Sequence, residues 1–172
     1  MAHLRRGEGK HAVRLFYQAM AGAMSARNAG VAGESGSTGL NRKEALALLA
    51  DEAACLSILR HMLVCEAKDG LDLLTGVPAA WLAGGARISI RRMPTWFGPL
   101  DFQVQSVGQA KQLLVRISGL RRGWPAQIRL SIPLGRIRGV SVGGRPISTF
   151  DSARGIITFD GPIDHEDIVV SY

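Results

Sequence analysis

The apolar residues of this chain change their spacing near residue 70, from the period of a helix to the period of a strand. Before Asp69-Gly70 they recur every three to four positions. After it they alternate with polar residues in short runs bounded by glycine and proline. A chain that switches period once must bury a helical stripe first and a sheet face second. The expectation is therefore α+β: a helical hairpin over residues 1–70, then an antiparallel β-sandwich of about eight strands over 71–172.

The first helix reads from Gly9 to Arg27, with Val13, Phe16, Met20 and Met24 on one face. A Gly- and Ser-rich stretch from Asn28 to Gly39 cannot hold regular structure. Asn41-Arg-Lys-Glu44 has capping-box spacing, in which Asn41 accepts from an orphan N–H and Glu44 reaches back. The second helix then runs from about Arg42 to Glu66. It carries two apolar stripes, one through Leu49, Leu56, Leu59 and Leu63 and another through Leu46, Ala50, Ile58 and Met62. A helix apolar around most of its circumference needs cover on several sides, and one partner helix cannot supply it.

Strands are expected near 71–74, 86–93, 100–107, 112–118, 126–132, 137–142, 155–160 and 167–172. Gly143-Gly144 suits a two-residue hairpin turn, because both central positions need positive φ. The expected sandwich core is Ile88, Ile90, Phe102, Val104, Leu114, Ile128, Leu130, Ile132, Val140, Val142, Ile157, Phe159 and Val169, with Arg129 on the opposite face.

The net charge of +7 invites a nucleic-acid reading, but its distribution opposes one. Residues 1–75 hold 9 basic and 8 acidic side chains, and residues 76–172 hold 12 and 6. In the second half the arginines alternate with apolar residues, as in Arg87-Ile-Ser-Ile-Arg91, which is the solvated face of half-buried strands. An acidic ligand such as a uronate polymer is the next reading, ahead of nucleic acid. No run of 18 apolar residues is present, so no transmembrane helix is expected, and Met1 to Lys10 has no apolar signal segment; localisation is left open. Cys55 and Cys65, placed on one helix, would stand ~15 Å apart at ~1.5 Å per residue, too far for a disulfide, and are expected as buried free thiols.

The motifs that carry chemistry are sparse. Gly7-Glu-Gly-Lys-His-Ala12 has dinucleotide-fingerprint spacing, but no strand precedes it and no βαβ unit follows. The glycines from Gly33 to Gly39 lack the Lys-Ser/Thr of a P-loop, and no Gly-x-Ser-x-Gly is present. Four scattered histidines make no metal spacing, and Asp164-His-Glu-Asp167 reads as a charged turn. No cofactor and no metal are expected. Of the acids, Glu66, Asp69 and Asp72 read as an exposed helix end and turn. Glu34, in the long loop between the helices, is the candidate for substrate binding, with no second acid to pair with it and no catalytic residue assigned. Trp81, Trp96 and Trp124 read as packing residues before they read as sugar platforms.

Three strings then form a pattern: Arg60-His-Met-Leu-Val-Cys-Glu66, Gly76-Val-Pro-Ala-Ala-Trp-Leu82, and Ile88-Ser-Ile-Arg-Arg-Met-Pro-Thr-Trp-Phe-Gly98. Together they resemble the C-terminal end of six-hairpin glycosidase-like proteins, which are (α/α)6 toroids carrying a β-sandwich. Arg6-Gly-Glu8, Phe16-Tyr-Gln-Ala-Met-Ala21 and Gly33-Glu34 resemble the penultimate hairpin and its connecting loop. The resemblance implies a non-catalytic C-terminal portion of a glycoside hydrolase-like, carbohydrate-active protein, its sandwich packed on the barrel. Most of that barrel is absent from the chain. It implies as partners the missing toroid helices or a second copy, and a carbohydrate, with neither nucleic acid nor membrane. It also implies that the chain alone does not hydrolyse glycosides. The alternative is a free-standing β-sandwich module that binds glycans or proteins without enzymatic activity.

Overall fold

The computed structural model describes residues 11, 13–18, 20–21, 42–120, 125–161 and 167–172. Glu34, the Gly7–Ala12 motif, the 28–39 loop, Asn41, Trp124 and 164–166 therefore lie outside, or largely outside, the described residues.

The described part of the first helical segment is helical at 13–18 and 20–21. Helix α1 spans Arg42–Leu63. It stops three residues before the sequence pattern suggests, because Val64, Cys65 and Glu66 leave it as strand β1 (Val64–Glu66) and pair antiparallel with β2 (Gly70–Leu73). The chain beyond β2 returns to seal the helix end. Leu74 N–H donates to Leu63 O at 2.8 Å and Gly76 N–H to Met62 O at 3.0 Å, which satisfies carbonyls that a helix C-terminus leaves open. Leu74 makes this contact from the left-handed region, at φ 59, with its side chain fully buried.

Among the described residues nine further strands follow: β3 (Arg87–Thr95), β4 (Gly98–Val107), β5 (Gln112–Ser118), β6 (Gln127–Ser131), β7 (Gly139–Val142), β8 (Arg145–Ile147), β9 (Phe150–Asp151), β10 (Ile156–Phe159) and β11 (Asp167–Ser171). One sheet has the order β1-β2-β6-β10-β9 and the other β3-β4-β5-β11-β7-β8. The α+β architecture with a sandwich-like pair of sheets is thus the observed one. Strands β1, β8 and β9 are two or three residues long, too short for alternation to reveal, which is why about eight were expected. The pairing is antiparallel except between β2 and β6, where Leu71 lies beside Ile128 and Leu73 beside Leu130 in parallel. Gly143 and Gly144 form the β7–β8 hairpin turn, at φ 55 and 80.

The core lies between the sheets. Phe102, Val104, Ile128, Leu130, Ile132, Val140, Ile157 and Phe159 are buried in it, as the alternation indicates. Ile88, Ile90 and Val142 are only half-buried at its margin. Leu114 and Val169 correct the expected register. They lie opposite each other on β5 and β11, and both face outward, Leu114 with 42% of its surface exposed. Their neighbours Leu113, Val115, Ile117, Ile168 and Val170 fill the core instead.

Candidate functional site

The junction between the helical layer and the sandwich is built from the residues that carry the sequence pattern described above. It has two parts. The first is an aromatic bridge. Pro78 leads into a 3-10 turn over Ala79–Leu82, which drives Leu82 fully into the sandwich core and turns Trp81 toward the helices. Trp81 packs edge-to-face on Phe16 at 6.1 Å, and its indole N–H donates to the Tyr17 hydroxyl at 3.2 Å. Met62 of α1 is buried in the same cluster with Phe16, flanked by Val13, Ile58 and Leu59. Trp81 thus contacts both apolar clusters and is the packing residue that its context suggests.

The second part is a polar clamp. The Glu66 carboxylate accepts from Arg60 Nη2 at 2.9 Å and from the Trp96 backbone N–H at 2.6 Å. Arg60 Nη2 also donates to the Pro94 carbonyl at 2.8 Å. One carboxylate and one guanidinium therefore tie the end of α1 to the tip of the β3–β4 hairpin. Thr95 shapes that tip: its hydroxyl donates to Gly98 O at 2.6 Å and accepts from Phe97 N–H. Gly98 at φ 111 lets the chain turn back. The Trp96 ring itself is exposed.

This placement corrects the reading of Glu66 as part of an exposed helix end. Its side chain is 9% accessible and fully engaged in β1. The signal was present, since Arg60, Glu66 and Pro94–Trp96 all belong to the resembling strings, but sequence alone does not say that the strings touch. Asp72 is also paired. It meets Arg129 in a two-pronged ion pair, both N–O distances 2.7 Å, across the parallel β2–β6 register on the outer face of the sheet. That hydrogen bonding, helped by the Asp72 charge and opposed by partial burial, raises the Arg129 pKa above its ordinary value. Asp69 is exposed, its carbonyl accepting from Gln127 N–H. Glu66 and Asp72 are therefore consumed by structural contacts, and no two of these three acids are brought together by a shared contact. Cys55 and Cys65 are buried and form no disulfide, Cys65 on β1 rather than on the helix. Among the described residues no group of three or more His, Cys, Asp or Glu side chains could hold a metal ion, and no described helix is long and apolar enough to cross a membrane.

Away from the junction, the helical layer presents apolar side chains to solvent. Leu15, Tyr17 and Met20 are 47%, 51% and 37% exposed, and Leu56 on α1 is 67% exposed. On α1 Leu56 is thus uncovered, while Leu59 and Leu63 of the same stripe pack against buried clusters and Met62 is buried with Phe16.

No family model matches the chain, and no curated protein matches it. A solved structure titled "Glycoside hydrolase" aligns with 72% of this chain at 13% identity and a TM-score of 0.44; the chain spans 19% of that protein's length.

Proposed function

We propose that the chain is the non-catalytic C-terminal portion of a glycoside hydrolase-like protein, in which the helical layer docks on further helices and the sandwich buttresses them. The observation that carries this reading is the exposure of Leu15, Tyr17, Met20 and Leu56 on the helical layer. Fully burying a leucine or methionine is worth roughly 1.5–3 kcal/mol, so two leucines, a methionine and a tyrosine left partly in water favour a partner that covers them. The clamp at Glu66 and the bridge at Trp81 fix the helices on the sandwich, so this surface is presented by a supported layer. The acids follow the same reading. Glycoside hydrolysis needs two carboxylates flanking one bond, and Glu66 and Asp72 are committed to Arg60 and Arg129. Glu34 remains the candidate for a cleft residue on the helical side.

Two measurements on the purified 1–172 chain test the proposal. Sizing with light scattering should show concentration-dependent self-association, and a panel of chromogenic glycosides should show no turnover. A monomer that persists at high concentration would count against the docking surface. Turnover abolished by Glu34→Gln would overturn the non-catalytic role.

A further inference from the structure

Four segments converge at the end of the sandwich where β4 finishes. They are the turn between β4 and β5, the connection between β6 and β7, the turn after β9, and the end of β11. Backbone bonds join them: Tyr172 N–H donates to Lys111 O at 3.1 Å, Arg138 N–H to Ser171 O at 2.8 Å, and Ile137 N–H to Ser152 O at 3.3 Å. Between them lies an open cleft of about 610 Å³ lined by Lys111, Arg136, Arg138, Ser152, Leu134 and Tyr172, with Ile137 at its base. That volume is in the range of small-molecule sites, roughly 300–1,000 Å³.

The side-chain charge in this cleft is of one sign. Lys111, Arg136 and Arg138 are exposed, and none has an ion-pair partner among the described residues. Arg60, Arg116, Arg129 and Arg154 each have one. Three cations drawn around one concavity repel one another, and a bound anion offsets that cost. Lys111 also occupies the left-handed region, at φ 48, where glycine or asparagine is the less strained choice. Leu134 and Tyr172 supply an apolar wall beside the charges.

We propose that this cleft binds a small polyanion: two or more carboxylate or phosphate groups on a compact scaffold with an apolar face, such as a sugar. Two guanidinium groups can each take an oxyanion through paired hydrogen bonds, and the lysine adds a point charge. The site is separate from the helical surface on which the proposed function rests. The clamped hairpin precedes β4 and the cleft follows it, and ten strand residues span roughly 30 Å at ~3.3 Å each.

Calorimetric titration of the 1–172 chain tests the proposal, using trigalacturonate, fructose 1,6-bisphosphate, neutral maltotriose and a single-stranded oligonucleotide as probes. At low salt at least one of the two anionic sugars should bind and maltotriose should not; which anion binds more tightly identifies carboxylate or phosphate as the preferred group. The double variant Arg136→Gln/Arg138→Gln should weaken that binding about tenfold or more. Arg91→Gln, which removes an exposed cation on β3 beyond the cleft, should change it less than about twofold. Unchanged melting temperatures show that the variants fold. Failure of both anionic sugars to bind at low salt overturns the proposal, as does an equal loss in Arg91→Gln. Tighter binding of the oligonucleotide than of either sugar would replace it with an extended nucleic-acid surface.

Discussion

The Glu66 carboxylate accepts the Trp96 backbone N–H at 2.6 Å across 30 residues of sequence, and so joins the end of the helical layer to a hairpin of the opposite sheet. The same carboxylate holds Arg60, which in turn holds the Pro94 carbonyl. Removing a charged partner from a nearly buried network costs about 1.5–3 kcal/mol per hydrogen bond lost. Glu66→Ala loses two such bonds and should therefore lower unfolding stability by at least about 3 kcal/mol in a urea titration. Glu66→Gln keeps an acceptor for Trp96 but loses the charge opposite Arg60, and should fall between Ala and the native residue. A loss below about 0.5 kcal/mol in Glu66→Ala would show that the hairpin is held by packing alone.

The register of β5 and β11 supplies a second test and shows where sequence reading stops. In Gln112-Leu-Leu-Val-Arg-Ile-Ser118 two leucines stand side by side, so alternation leaves both faces open until Val115 and Ile117 are weighed with Leu113. In Asp167-Ile-Val-Val-Ser171 three apolar residues in a row have the same effect. Strands such as Gln127-Ile-Arg-Leu-Ser131 carry a polar residue at every second position, and there the buried face was legible. The junction was only half legible. Its residues stood out as strings, yet the contact between Glu66 and Trp96 depends on β1, whose three residues show no period. The cationic cleft was hidden for a related reason, since its charges come from two separate turns. Leu113→Ala should cost about 2–5 kcal/mol and Leu114→Ala much less, because only the first leaves a cavity. Equal losses would place both leucines in the core.

Asp72 and Arg129 form an ion pair with good geometry on a face that is only partly shielded, the arginine side chain being 50% accessible. Screening by water limits such pairs to about 0.5–1 kcal/mol. A double-mutant cycle of Asp72→Ala and Arg129→Ala should return a coupling energy in that range, falling as salt is raised. A coupling indistinguishable from zero at low salt would mean that the two side chains find water equally well.

Two glycines of the sandwich should respond in opposite ways to the same substitution. Gly155 has φ +67, and a Cβ there would stand 2.3 Å from the Ile132 carbonyl oxygen, while the Gly155 carbonyl accepts from Ile132 N–H at 2.7 Å and so holds the two backbones together. Gly155→Ala should cost several kcal/mol, since neither backbone can move without breaking the β6–β10 pairing. Gly139 has open space around its Cβ position and an ordinary φ. Gly139→Ala should be neutral or stabilising by up to about 1 kcal/mol through reduced freedom of the unfolded chain. Thermal melts of the two variants give the comparison directly, and a Gly139→Ala variant that melts as low as Gly155→Ala would contradict it.

Leu56 offers the sharpest separation of docking from folding. It is 67% exposed on α1, so its side chain contributes little to packing within the chain, whereas Met62, six residues on, is completely buried. Leu56→Glu should leave the melting temperature of the dilute protein within a few degrees of the native value, because substitutions at exposed helix positions usually change stability by less than about 0.5 kcal/mol. The same change places a carboxylate at an exposed apolar position of the helical layer, and an interface that closed over it would have to desolvate that charge. Self-association measured by sedimentation should therefore drop by at least about tenfold in Leu56→Glu, an effect that Leu56→Ala, which only trims the contact, should show more weakly. If Leu56→Glu lowers stability as much as it lowers association, the residue is part of the core of the helical layer. If it changes neither, the surface that recruits a partner lies elsewhere.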